Sequence, residues 1–321
     1  MMLNFAGTCR NNPGRQFAMM LSVATLLLPF AACNKKEAVA VQAGPRTFAS
    51  PQDAGKALAE AAKAQDSDQL MRIFGPEARE IMASGDATEN KASLSQFAKS
   101  YEVMNRWRRL ADGGELLIVG ADNNVFPIPL LKNASGQWYF NTAAGKQELL
   151  SRRIGHNELT TMTVCGAIVD AQAQYFAQKH DGVKQYAQKF ISDPGKQNGL
   201  YWPEAQGKPR SPLGPMVAYA TDEGYKVQPN QHQSYHGYYY VMLDKQGPEA
   251  PGGSKDYIAN GKMTGGFAVL AYPANYGSSG IMTFLINQDG VLLQKDLGKA
   301  TDQVASAMRE FNPDKSWSIA E

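Results

Sequence analysis

Short apolar runs alternate with turn residues throughout residues 235–298. The runs cover residues 238–243, 267–272, 281–286 and 291–293, and Gly, Pro, Asn or Asp residues separate them. Runs of this length that are rich in β-branched and aromatic residues are typical of strands. The Asp289-Gly290 pair suits the positive φ angles of a tight hairpin turn. We therefore predict one mostly antiparallel sheet in this part of the chain.

A helical pattern precedes this sheet. Apolar residues repeat every three or four positions over residues 157–180, which predicts a long helix with one buried stripe. Shorter helices are predicted at residues 183–191 and 301–311, and the Gly- and Pro-rich residues 196–216 predict an ordered loop. A long amphipathic helix laid on an antiparallel sheet resembles the globular part of pilin-like proteins.

The N-terminal half has a different order of elements. Ser50 is a helix cap with Pro51 at the first helical position, and Pro127 and Pro129 predict an edge strand or a bulge. Helices are predicted at residues 51–64, 66–74, 77–83 and 90–106, and strands at 115–119, 125–131 and 136–142. This order resembles the nuclear-transport-factor-like (NTF2-like) cone. The predicted fold class is therefore α+β, with an N-terminal domain at residues 48–152 and a C-terminal domain at residues 153–321.

Residues 1–32 are predicted to be a signal peptide. They contain two arginines and no acidic residue, and an apolar run of 14 residues covers positions 17–30. A membrane-spanning helix needs about 20 residues, so the run fits the apolar region of a signal peptide better.

The end of this segment resembles the lipobox of bacterial lipoproteins. Residues 30–33 read Phe-Ala-Ala-Cys, with Phe30 where the motif usually has an aliphatic residue. The resemblance implies cleavage before Cys33, lipidation of its thiol and a membrane anchor made by the lipid. Residues 33–47 would then be a lipidated tether, and Asn34 favours the outer membrane. The alternative is an ordinary secretory signal followed by an unrelated cysteine.

The charge balance of the chain indicates which classes of partner the protein can bind. The chain has 32 basic and 30 acidic residues, and removing residues 1–32 with Arg10 and Arg15 leaves 30 of each. A protein without net charge has no electrostatic basis for binding nucleic acid. Gly261-Lys262-Met263 lacks the hydroxyl residue that follows the lysine of a phosphate-binding loop, and no cofactor is predicted.

Two groups of residues are candidates for chemistry. His232 and His236 have a spacing that binds zinc on a helix, but on a strand it separates the two side chains by about 13 Å. No metal site is predicted, although an envelope hydrolase using these two histidines remains an alternative. Cys165 lies on the apolar stripe and is predicted to be buried and inert; the alternative is a nucleophile with His156 or His180 as its base.

An aromatic cluster supplies the candidates for a binding surface. Tyrosine and tryptophan combine a large contact area with a polar group, which suits protein or carbohydrate partners. The candidates are Trp202, Tyr235, His236, Tyr238, Tyr239, Tyr240, Tyr272 and Tyr276. The alternative is that these rings pack beneath residues 196–216.

Eight blocks of sequence together resemble a bacterial envelope family described as a domain of unknown function, DUF2950. The blocks occur in order at residues 126–130, 142–146, 201–203, 211–215, 235–239, 250–253, 260–263 and 294–298. The resemblance implies no reaction, ligand or catalytic residue.

These observations lead to two functional hypotheses. The first is a lipid-anchored, periplasm-facing protein that binds or assembles with an envelope protein or glycan, without catalysis. The second is the envelope hydrolase that uses His232 or His236, with or without a metal.

Overall fold

A computed structural model describes residues 44–207, 209–227 and 232–320. The predicted signal peptide, Cys33 and most of the predicted tether lie outside the described residues. The helices are α1 Pro51–Ala64, α2 Ser67–Phe74, α3 Ala78–Met82, α4 Ala87–Val103, α5 Thr142–Ala177, α6 Gly214–Asp222 and α7 Thr301–Ala307, with a 3₁₀ turn at Gly298–Ala300.

The strands form antiparallel sheets, and the predicted α+β character is confirmed. The first eight strands are β1 Asn105–Arg109, β2 Glu115–Val119, β3 Asn124–Val125, β4 Leu130–Lys132, β5 Trp138–Phe140, β6 Lys179–His180, β7 Val183–Lys184 and β8 Tyr238–Leu243. The other eight are β9 Lys245–Gln246, β10 Lys255–Asp256, β11 Ile258–Ala259, β12 Lys262–Met263, β13 Ala268–Pro273, β14 Met282–Asn287, β15 Leu293–Asp296 and β16 Ser318–Ile319.

The N-terminal half packs helices against a small sheet. Its strands lie in the order β1-β2-β4-β5, with β3 also paired to β2. Pro127 and Pro129 lie between β3 and β4, where the strand pairing is interrupted because proline has no N–H to donate. Ser50 caps α1 by accepting a hydrogen bond of 3.1 Å from the Asp53 N–H, with Pro51 at the helix start. Both sequence signals at this helix are confirmed.

The long helix α5 begins earlier than the apolar pattern indicated. It has 36 residues and starts at Thr142 instead of residue 157. Its first turns carry few buried apolar residues, among them Leu150 and Ile154, so no clear stripe marks them in the sequence. The domain boundary predicted between residues 152 and 153 falls inside this helix.

The C-terminal half places α5 and α7 against the predicted antiparallel sheet. The strand order is β16-β15-β14-β13-β8, so β14 is central, and all six residues of its neighbour β13 are buried. Strands β14 and β15 form the predicted hairpin, in which Leu285 pairs with Leu293 and Gly290 has a φ of 75°. A long helix packed on an antiparallel sheet is therefore confirmed as the plan of this half.

One predicted helix in this half was wrong, and two other predicted elements end earlier than expected. The helix at residues 183–191 is replaced by β7 and irregular chain, because the buried Gln172 side chain accepts a hydrogen bond from the Ala187 N–H and holds that segment extended. The loop at residues 196–216 gives way to α6 at Gly214, with a proline in its first turn. The closing helix ends at Ala307, and Phe311 instead pairs with Gln246 in a β-bridge.

Two hydrophobic clusters form the core. One contains residues from Phe48 to Phe140, and the other contains residues from Val164 to Phe311. Helix α5 runs from one to the other. In the part of the chain that the structure describes, no helix is both long and apolar enough to cross a membrane.

Candidate functional site

Buried and half-buried polar groups lie where the two hydrophobic clusters meet. We call this set the polar junction, and it consists of Asp86, Glu89, Arg153, Asn157, Glu223 and His236. Asp86 and Glu89 lie at the start of α4, Arg153 and Asn157 in the middle of α5, and the other two between α6 and β8. The junction therefore combines residues from four separate parts of the sequence.

Asp86 is the centre of the hydrogen bonding. Its Oδ1 atom accepts from the backbone N–H groups of Thr88 and Glu89 at 3.1 and 3.0 Å, which caps α4. Its Oδ2 atom accepts from the Tyr225 hydroxyl at 3.0 Å and the Gly237 N–H at 3.1 Å. One buried carboxylate thus caps a helix and fixes the segment before β8.

Asn157 connects α5 to the same segment. Its Nδ2 atom donates to the Ser279 carbonyl at 3.0 Å and lies 3.4 Å from Glu89 Oε2. A Cβ atom at Gly237 would lie 2.5 Å from that amide nitrogen, so only glycine fits there. The Oδ1 atom of Asn157 is buried and has no hydrogen-bond partner among the described residues. The close approach of α5 to the segment before β8 therefore requires glycine at position 237 and a polar side chain at position 157.

His236 is a buried residue with unusual backbone geometry. Its φ is 47°, in a region that residues other than glycine seldom adopt, and the Tyr225 hydroxyl accepts its backbone N–H at 3.2 Å. Its Nε2 atom lies 3.0 Å from Glu223 Oε2, while its buried Nδ1 atom has no hydrogen-bond partner in the part of the chain that the structure describes. The His156 ring lies edge-on at 6.1 Å between ring centroids.

Arg153 is a largely buried cation that binds neutral oxygens. It donates to the Ile81 carbonyl and, at 3.3 Å, to the Ser278 hydroxyl. Burial lowers the pKa of its guanidinium, although the nearby Glu89 charge acts in the opposite direction. These bonds join α3, α5 and the turn before β14, yet leave the positive charge without a full counterion.

Glu89 has the most perturbed carboxyl group of the junction. Burial raises its pKa from 4.5 to about 7, and the negative charge of Asp86 acts in the same direction. Arg153 and the Asn157 amide lower it, but less strongly. A carboxyl group with a pKa near 7 can act as a hydrogen-bond donor or as an acceptor at neutral pH.

An open cavity leads from this junction into the N-terminal half. We call it the junction cavity, and its volume is about 370 Å³. Glu89, Arg153 and His156 lie at its polar end. Its walls are mostly apolar and include Leu58, Leu70, Phe74, Leu94, Phe97 and Phe126. A cavity with one polar end and apolar walls is the usual form of a small-molecule site.

The two histidines predicted as an alternative catalytic pair have different environments. His236 belongs to the polar junction. His232 is exposed, stacks on Tyr239 with ring centroids 3.9 Å apart, and lies 3.5 Å from the Tyr272 hydroxyl. Across residues 44–207, 209–227 and 232–320, no three His, Cys, Asp or Glu side chains are placed to hold a metal ion.

The aromatic candidates divide between core and surface. Trp202, Tyr238 and Tyr272 are buried at 6, 0 and 1% exposure. The Trp202 indole donates to the Pro209 carbonyl, and the Tyr238 hydroxyl donates to the Met282 carbonyl. The partly exposed members are Tyr235, Tyr239, Tyr240 and Tyr276.

Cys165 has the environment of a core residue. It is fully buried, and burial raises the pKa of its thiol to about 12. Its thiol therefore remains protonated and unreactive at neutral pH.

Sequence reasoning did not select most of the junction, although two signals were present. Asp86 and Glu89 have the spacing of a capping box, which marks a helix start. Asn157 lies in line with the apolar stripe of α5, and a polar residue at a buried position needs a specific partner. Neither signal reveals Glu223 or His236 as neighbours.

Comparison with known proteins gives a family. Residues 45–320 match the family described as Protein of unknown function (DUF2950). The chain belongs to the DUF2950 family. The curated proteins and the solved structures contain no match to this DUF2950 chain.

Proposed function

We propose that this DUF2950 protein is a lipid-anchored, periplasm-facing binding component of the bacterial cell envelope, attached to the outer membrane, and that it acts without catalysis. The observation that carries the binding part is the junction cavity. Its volume of about 370 Å³ lies within the range of about 300–1,000 Å³ found for ligand sites. The lipobox-like residues 30–33 support the anchor.

The polar junction supports a structural role for most of its own members. Three members form hydrogen bonds to the backbone of other segments and so fix the end of the cavity; they are Asp86, Asn157 and Arg153. A rigid, preformed site loses less entropy when a ligand binds. The arrangement therefore suits binding better than turnover.

The cavity is tested with the neutral fluorescent probe N-phenyl-1-naphthylamine. Ser93 lies on α4 at the cavity wall and is exposed, so Ser93→Trp should place a large ring across the opening. We expect strong probe fluorescence with the wild type and little with this variant. Gln96→Trp is the matched control, because Gln96 is exposed on the same helix and does not line the cavity. Equal fluorescence from wild type and Ser93→Trp would contradict the proposal.

The anchor is tested separately by replacing Cys33. We expect the wild type in the membrane fraction of a Gram-negative host and Cys33→Ser in the soluble periplasmic fraction. A Cys33→Ser protein that stays with the membrane would refute attachment through this residue.

One observation favours an envelope hydrolase as a second candidate. The Glu223 carboxylate orients the His236 imidazole, as the aspartate of a catalytic triad orients its histidine, and Nδ1 has no hydrogen-bond partner among the described residues. His236→Asn tests this, since asparagine tolerates a positive φ. Loss of ester or peptide hydrolysis in a folded His236→Asn protein, with activity retained in His232→Asn, would favour this candidate. A wild type that hydrolyses none of the substrates tested would count against it.

A further inference from the structure

The described residues that line the junction cavity include two cations and one acidic group. The cations are Arg152 and Arg153, and the acidic group is Glu89. Arg152 already binds Glu148 at 2.7 Å and the Val125 carbonyl at 2.9 Å. Arg153 is therefore the cation that a ligand could neutralise.

Arg153 has only a partial counterion. Its N–H groups bind a backbone carbonyl and a hydroxyl, and both of these acceptors are neutral. Burial raises the pKa of the neighbouring Glu89 to about 7, so at neutral pH its carboxyl group is a weaker counterion than an ordinary glutamate. A desolvated cation without a full counterion is costly, and an anion that forms charge-assisted hydrogen bonds to it reduces that cost.

The apolar part of the cavity limits the size of the ligand. A volume of about 370 Å³ equals roughly a dozen water molecules at about 30 Å³ each. That space is comparable with the volume of one alkyl chain on the order of ten to twelve carbon atoms. The ring faces of Phe74, Phe97 and Phe126 supply apolar contact along it.

We propose that the junction cavity binds a single-chain anionic amphiphile, with its carboxylate or phosphate head at Arg153 and its alkyl chain between α1, α2, α4 and α5. This proposal rests on the proposed binding function and adds the chemical class of the ligand. A free fatty acid and a single-chain phospholipid fragment share this chemistry. Comparing the affinity for dodecanoate with the affinity for dodecyl phosphate distinguishes these two sources.

Binding should depend on pH through Glu89. The charged or titratable groups facing it are Asp86 on its own helix, Arg153 and His156 on α5, and Glu223 after α6. Ionised Glu89 repels an anionic head, so affinity should fall as pH rises from 6 to 8. Glu89→Gln should remove this fall and bind dodecanoate more tightly than the wild type at pH 8.

Isothermal titration calorimetry of the full mature chain tests the class of ligand. Saturated carboxylates of 8, 10 and 12 carbons are compared with alcohols of equal length, below their micelle concentrations. Each methylene should tighten binding about fourfold, the factor equivalent to about 0.8 kcal/mol, until the cavity is full. Carboxylates should bind at least tenfold more tightly than alcohols.

One arginine variant and one lysine variant locate the head group. Arg153→Gln should weaken dodecanoate binding at least tenfold and leave dodecanol binding within about threefold of the wild type. Lys146→Gln is the control, because Lys146 is a cation on the same helix, binds Glu80 and does not line the cavity. If Arg153→Gln does not fold, the Glu89→Gln measurement at pH 8 takes its place.

The outcomes separate this proposal from the broader one. Equal affinity for carboxylate and alcohol, or no change in Glu89→Gln at pH 8, would overturn the anionic head. The same affinity at every chain length would overturn the placement of the alkyl chain. Either result leaves the cavity as a binding site if the wild type binds the neutral probe. If the wild type does not bind the probe either, the proposed function is overturned.

Discussion

Gly145 allows α5 to pack against the N-terminal sheet, and its replacement gives a sharp test of the fold. A Cβ atom at this position would lie 2.4 Å from the Pro127 carbonyl oxygen and 2.5 Å from the Ile128 Cα atom. Both atoms belong to the backbone, so no side chain can rotate away. Helix and strand would have to separate by about 1 Å, since carbon atoms pack at about 3.5–4.0 Å.

The expected effect of Gly145→Ala combines two opposing terms. Alanine is favoured over glycine inside a helix by about 1 kcal/mol. Overpacking a rigid site costs about 1–3 kcal/mol or more, and backbone contacts this short belong at the upper end. We expect a net loss of about 2 kcal/mol in the free energy of unfolding.

Gly166→Ala is the matched control on the same helix. Gly166 is exposed, and nothing lies within 4 Å of the Cβ position. This variant should be stabilised by about 1 kcal/mol, so the two variants should differ by about 3 kcal/mol. Urea unfolding followed by circular dichroism measures both. A Gly145→Ala protein as stable as Gly166→Ala would refute the packing of α5 on residues 127–128.

Three further predictions concern the polar junction and the core. The pKa of Glu89 is about 7 in the folded protein, above the ordinary value of 4.5, so its contribution to stability is present below pH 4.5 and is lost as pH rises through 7. Urea unfolding at pH 5 and 8 should show that the free energy of unfolding falls by at most about 3 kcal/mol. This fall should be absent in Glu89→Gln. Asp86→Ala should cost about 4 kcal/mol in the same assay, against about 1 kcal/mol for the simple helix cap Asp66→Ala. Cys165 should react with a thiol reagent only after unfolding; rapid labelling of the native protein would contradict its burial.

The C-terminal sheet could be predicted because its signals are local. Strand β13 is buried along its whole length and therefore appears as an uninterrupted apolar run, and Asp289-Gly290 marks the next hairpin directly. The start of α5 could not be predicted in this way. Its first turns contact the N-terminal half through Gly145, and close backbone contact leaves no apolar period in the sequence.

The candidate site was harder to predict because its members are distant in sequence. Each residue of the polar junction has an ordinary local explanation, such as a helix cap for Asp86 or a loop position for Glu223. Their chemistry depends on contact between segments that local patterns do not relate. The polar position of Asn157 within an apolar stripe was the most informative local sign.

The long sequence separations within the junction have a consequence for the order of folding. Asp86 accepts a hydrogen bond from Gly237, 151 residues later, and Asn275 donates to the Ala83 carbonyl across 192 residues. Contacts between such distant residues are slow to form, because a long loop must close before they contribute. The N-terminal helices can therefore collapse early, but the end of their cavity closes only after residues 275–280 have emerged and docked. A nascent or truncated chain would expose the apolar walls without Arg153 held in place, which makes it a target for chaperones and proteases rather than a binder.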